Sequence, residues 1–169
     1  MSGRLDAREV RSGVPAIVLS TTGGLALGEL GPLCIALWRG AVTREHFDRQ
    51  AAALAQVVAR HPGRAGFMCI VEPGATPPNE ELRRASAEMI ESHAERLVFV
   101  AAVIEGTGFQ ASVARSVLTA ISLFIPRRKT RTAYFSSAAP AASWAREHAS
   151  LPKENEIVAF VEELRAKLG

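Results

Sequence analysis

Leu97-Val98-Phe99-Val100-Ala101-Ala102-Val103-Ile104 is an unbroken apolar octapeptide, and Glu105-Gly106-Thr107-Gly108 ends it. Its length and its β-branched and aromatic content make it the clearest strand in the chain, and a central one. The paired glycines that follow supply a tight turn. An amphipathic helix is predicted over Phe109–Ile125, with Phe109, Val113, Val117, Ala120, Ile121 and Phe124 on one side. Pro126-Arg127-Arg128-Lys129-Thr130-Arg131 closes it and carries the strongest local positive charge, before a short strand at Thr132–Phe135.

The same alternation extends outward. Pro15–Thr21 and Leu25–Leu30 read as strands about a Thr22-Gly23-Gly24 turn, and Leu33–Arg39 as a further strand covered on both faces. Thr43 caps a helix reaching Arg60, with Phe47, Ala51, Leu54 and Val58 inward, because its hydroxyl accepts a free amide proton of the first turn. His61-Pro62-Gly63 stops that helix, and Gly66–Val71 is the next strand. Pro73–Pro78 is a loop, and Asn79 caps a helix with Leu82, Ala85, Met89 and His93 on one face. Ser137 opens another helix through His148 with Trp144 as its anchor. Leu151-Pro152 separates a final helix whose stripe is Ile157, Phe160, Val161, Leu164 and Leu168. The expectation is a flexible N-terminus (1–13), a single α/β domain (14–150) with a mixed central sheet and helices packed on it, and a C-terminal amphipathic helix (151–169).

Composition bounds the function. A chain of 169 residues supports one ordinary core. With 48% apolar but only 6% aromatic residues, that core must be built from Ala, Val, Leu and Ile. Twenty basic against seventeen acidic side chains give +3, too little to imply nucleic-acid binding. Its distribution says more: Arg115, Arg127, Arg128, Lys129 and Arg131 follow one another with no intervening acid. Cys34 and Cys69 stand far apart in apolar runs and read as buried thiols rather than a redox or zinc motif. His46, His61, His93 and His148 lack metal-ligand spacing, and no pattern brings Cys69 and His93 together as nucleophile and base. No catalytic residue, cofactor or metal is assigned. Glu105-Gly106-Thr107-Gly108 could offer amides to an anion, but it lacks the order of a dinucleotide or phosphate loop. With no export signal and no long apolar span, cytoplasmic residence is expected.

The order of elements resembles a STAS-type domain, in the group of small α/β proteins related to anti-sigma-factor antagonists. The resemblance covers Pro15–His148. It rests on the opening hairpin, Leu33–Arg39 leading through Gly40 and Thr43 into a helix, the Gly66–Val71 strand, and Leu97–Ile104 with its long following helix. It implies a non-catalytic protein-binding switch or a membrane-associated module. The classical switch carries an Asp-Ser pair at the start of a helix. The matching region here, Glu72–Asn79, has no such pair, and Thr76 is its only hydroxyl. The resulting expectation is a regulatory or scaffold module, homodimeric, that binds another protein through Arg115, Arg127, Arg128, Lys129 and Arg131. The alternative is a lipid-associated domain at the membrane periphery using the same charges near Leu123–Ile125. A small-ligand protein or enzyme built on Glu105–Gly108 is the third reading.

Overall fold

Alternate residues of Leu33-Cys34-Ile35-Ala36-Leu37-Trp38 serve two different cores, which is why the run is apolar throughout. The computed structural model describes the backbone of Asp6–Glu9 together with residues 11–108, 112, 115, 116, 119 and 130–169. Within these, strands β1 (Asp6–Glu9), β2 (Pro15–Thr22), β3 (Leu25–Leu30) and β4 (Leu33–Trp38) are followed by α1 (Arg44–Arg60), β5 (Ala65–Val71) and α2 (Glu80–Ser92). Then come β6 (Leu97–Ile104), β7 (Arg131–Phe135), α3 (Ala138–Arg146) and α4 (Glu154–Lys167). The strands form one mixed sheet in chain order, β1 to β7. Pairings from β1 to β4 are antiparallel, and those from β4 to β7 are parallel.

Helices α1 and α2 start where the sequence expects. The Thr43 hydroxyl accepts from the His46 amide at 3.2 Å, and Asn79 Oδ1 accepts from the Leu82 amide at 2.9 Å. Phe47, Leu54, Val57, Leu82 and Met89 close one face of the sheet over Leu25, Leu27, Cys34, Ala36, Trp38 and Phe67. Two crossovers on the same face are what right-handed connections between consecutive parallel strands require.

The other face holds Ala26, Leu30, Ile35, Leu37, Met68, Ile70, Phe99 and Val103 under α3 and α4. Ala141, Ala142 and Ala145 let α3 approach closely, while Ile157, Phe160, Val161 and Leu164 of α4 fill the rest. Trp144 anchors α3 edge-on to Phe99 and tilted against Phe135. A Cβ at Gly28 would lie 2.7 Å from the Phe160 ring, so this glycine sets the spacing between sheet and α4. One at Gly66 would lie 2.2 Å from the Phe99 ring on the neighbouring strand, so Gly66 leaves room for that ring to lie across β5. Beside the start of β4, at the end of the sheet where the parallel strands begin, buried Glu29 meets Arg60 at 2.7 Å and His61 Nε2 at 3.4 Å, anchoring the end of α1.

Three differences from the sequence reading have physical causes. Asp6–Glu9 lies within the expected loose N-terminus yet pairs with Pro15–Val18, a main-chain interaction that leaves no apolar signature. The Ser137 helix ends at Arg146, and Glu147 and His148 form a closing turn instead. Ser137 sits at its N-cap without a side-chain capping bond. In the Phe109–Ile125 region, Ser112, Arg115, Ser116 and Thr119 are helical and exposed at the spacing of one polar face. The remainder, including Leu123–Ile125, Arg127, Arg128 and Lys129, lies outside the described residues. Among the described residues no helix is long and apolar enough to cross a membrane.

Because a methyl at Gly66 has no space against Phe99, Gly66→Ala is expected to destabilise the fold by about 1–3 kcal/mol through overpacking. Chemical denaturation reads this directly. A paired Phe99→Leu change should recover part of the loss.

Candidate functional site

Parallel strands finish on the same side of a sheet, and this is the end at which open α/β sheets bind ligands. Here each of three consecutive strands is followed immediately by a charged residue: Arg39 after β4, Glu72 after β5 and Glu105 after β6. Main-chain bonds hold these positions in register, with the Glu72 amide donating to Trp38 and the Glu105 amide donating to Val71. The last turn of α4 brings Arg165 across them.

The four side chains form one network. Arg165 donates from Nη1 to Glu105 Oε2 at 2.9 Å and from Nη2 to Glu105 Oε1 at 3.0 Å, a bidentate pair. Its Nη1 also donates to Glu72 Oε1. Arg39 donates from Nε to Glu72 Oε2 and from Nη1 to the main-chain oxygen of Gly169 at 2.7 Å. Arg165 Nε also faces Glu162 Oε1 at 3.3 Å, so two guanidiniums are shared among three carboxylates, and the Glu72 side chain is only 5% exposed. Hydrogen bonds to Glu105, outweighing desolvation and aided by the neighbouring carboxylates, hold Arg165 above its ordinary guanidinium range. Arg39 is raised chiefly by its hydrogen bond to Glu72. Arg39 also meets the negative end of the α4 dipole.

Loops around this network are fastened to one another. Ala41 bridges Thr76, whose amide donates to the Gly40 carbonyl at 3.2 Å, and Pro73 packs against Gly106. Gly106 and Gly108 have positive φ, so the expected turn after β6 uses glycine for a backbone reason. Thr76 is exposed.

The other described residues singled out in the sequence take no part in this network, and Cys34 and Cys69 come together on one face of the neighbouring strands β4 and β5. Arg115 is exposed on the helical segment, and Arg131 is exposed at the start of β7 opposite Phe99. Arg127, Arg128 and Lys129 lie outside the described residues. Cys34 is fully buried, and burial beside Glu29 raises its thiol. Cys69 is partly exposed, and its thiol is pushed up to about 12 by burial. His93 caps the end of α2, with its pKa lowered by burial and then by Arg96. His148 lies edge-on to Trp144, and His46 edge-on to Trp38.

At the far end of α4, Glu156 accepts from the amides of Ser12 at 2.9 Å and Lys153 at 3.0 Å. Burial opposes its ionisation, but these main-chain donors prevail and hold it below its ordinary value. Glu156 thereby ties the segment leading to β2 onto the start of α4.

Comparison with protein-family models, with curated proteins and with solved structures returned no match. The site therefore stands on its own geometry.

Arg165→Met would leave buried Glu72 with Arg39 as its remaining charged partner, and should cost about 1–3 kcal/mol in urea unfolding. Arg165→Lys, which keeps the charge but not the fork, should fall between. A second expectation concerns acid. Since the folded pKa of Glu156 is depressed, its contribution is present above the unfolded carboxylate value and is lost as pH falls through the folded one. Glu156→Gln should therefore lower thermal stability near neutrality and flatten its decline as pH falls through and below the ordinary carboxylate range.

Proposed function

We propose that this protein is a non-catalytic regulatory or scaffold module that works by binding another protein. The observation carrying this reading is the pairing at the strand ends. Arg39, Glu72, Glu105 and Arg165 engage one another and the main chain, so their charge fastens α4 and the loops. A general acid or base needs a group free to exchange a proton with a substrate, and carboxylates held by guanidiniums are poorly suited to that work.

The topology supports the resemblance to STAS-type domains. A β2–β3 hairpin leads into β4, α1, β5, α2 and β6, with parallel strands laid down in chain order. Glu72–Asn79, where relatives of that kind would carry a phosphorylated serine, is here held by Pro73 on Gly106 and by Thr76 on Gly40. A partner would therefore meet a pre-formed loop.

The partner surface is assigned to the basic cluster of the sequence. Exposed Arg115 and Arg131 flank Arg127, Arg128 and Lys129 in sequence, and an acidic protein surface is the complementary chemistry. Such rim charges act mainly on association rate and on salt dependence.

The test is affinity purification of the intact protein beside a variant reversed to Glu at Arg115, Arg127, Arg128, Lys129 and Arg131. A specific partner recovered by the native chain should be lost with the variant and weakened by salt. Equal recovery with both removes the assignment of the surface. Flotation with anionic but not neutral vesicles, abolished by the same reversal, would replace the protein partner with a lipid headgroup surface.

A further inference from the structure

The body of α4 and its last turn are held by different forces. Ile157, Phe160, Val161 and Leu164 are buried in the core, and Phe160 and Leu164 lie directly over Gly28. From Arg165 to Gly169 no residue is fully buried, and Leu168 is only partly covered. Charge fastens this turn instead: Arg165 on Glu72 and Glu105, and Arg39 on the main-chain oxygen of Gly169 at 2.7 Å. Both side chains keep part of their surface in water, at 32% for Arg39 and 25% for Arg165, although Arg165 Nε itself is buried, so salt reaches them as it does not reach the apolar body.

We propose that the last turn of α4 is an ionic strap over the strand ends, which opens without unfolding the body of the helix and thereby governs the loops at Glu72–Asn79 and Glu105–Gly108. The geometry couples the parts directly. Glu72 and Glu105 are both the strap's anchors and the first residues of those loops, and Pro73 of one loop rests on Gly106 of the other. Releasing Arg165 frees both loop origins together. The chemistry that opens the strap is an acidic protein surface that takes over the two guanidiniums. This last clause rests on the protein-binding reading, whereas the strap is a property of the isolated chain.

Hydrogen exchange followed by mass spectrometry on the full chain tests it, using native protein in low and high salt beside Arg165→Gln and Arg39→Gln. Segments containing Thr76, Glu105, Leu168 and Gly169, whose amides are main-chain bonded, should exchange about tenfold faster when the strap is weakened. Ile157–Leu164 should keep its protection. Acceleration of that body in parallel with the last turn would overturn the proposal, as would unchanged loops in high salt and in both variants. Should Arg165→Gln fail to fold, the native salt series and Arg39→Gln still decide. A polyglutamate peptide added to native protein should reproduce the variant pattern. If it does not while the variants do, the acidic trigger is wrong and the strap stands.

Discussion

Strands β4, β5 and β6 have no wet face, and the rest of the molecule is arranged around that fact. A sheet buried on both sides must be covered twice, so one chain has to supply helices to each face. The sequence does this in two blocks. Residues between consecutive parallel strands supply α1 and α2 to one side, and residues after β7 supply α3 and α4 to the other. Small residues regulate the spacing, with Gly28 on the sheet and Ala141, Ala142 and Ala145 on α3, while Gly66 makes room for the Phe99 ring beside it. The low aromatic content follows, because large rings are needed only where a gap remains, as with Phe99 and Trp144.

Dry strands create a problem at their tips, where the chain must return to water. Arg39, Glu72 and Glu105 occupy the first positions beyond three adjacent strands, and Arg165 joins both carboxylates from α4. Charges so close to a core are tolerated when each is paired and hydrogen-bonded, and strongly destabilising when one is removed. The network therefore gives α4 a defined end point. At the other terminus of the same helix, Glu156 fixes the approach to β2. One helix is thus tied at both ends by carboxylate chemistry and in the middle by apolar packing.

Most of the architecture was legible in the chain because its elements carry local signals. Leu97–Ile104 has the bounds the sequence indicates, and the Thr43 and Asn79 caps form as their side chains predict. Asp6–Glu9 was not legible, since it contributes main-chain pairing and lacks an apolar pattern. The strand-end network was missed for a different reason. Its partners lie far apart in sequence, as Arg165 and Glu72 do, and each looks like an ordinary surface charge. A usable signal existed: three apolar strands in succession end on a charged residue of matching position. By contrast, the basic cluster is plain in the sequence, while only Arg115 and Arg131 of it are placed among the described residues.

Every pairing in the sheet joins strands that are neighbours in the chain. A chain emerging from the ribosome can therefore build its sheet progressively and cover one face with α1 and α2 as it goes. Among the described residues, the second face has no such provision. Leu30, Ile35, Met68, Ile70 and Phe99 wait for residues 138–164, which are made only after all seven strands. Until α3 and α4 arrive, the nascent domain displays a broad apolar surface, and a chain cut short before Ala138 would carry that surface permanently.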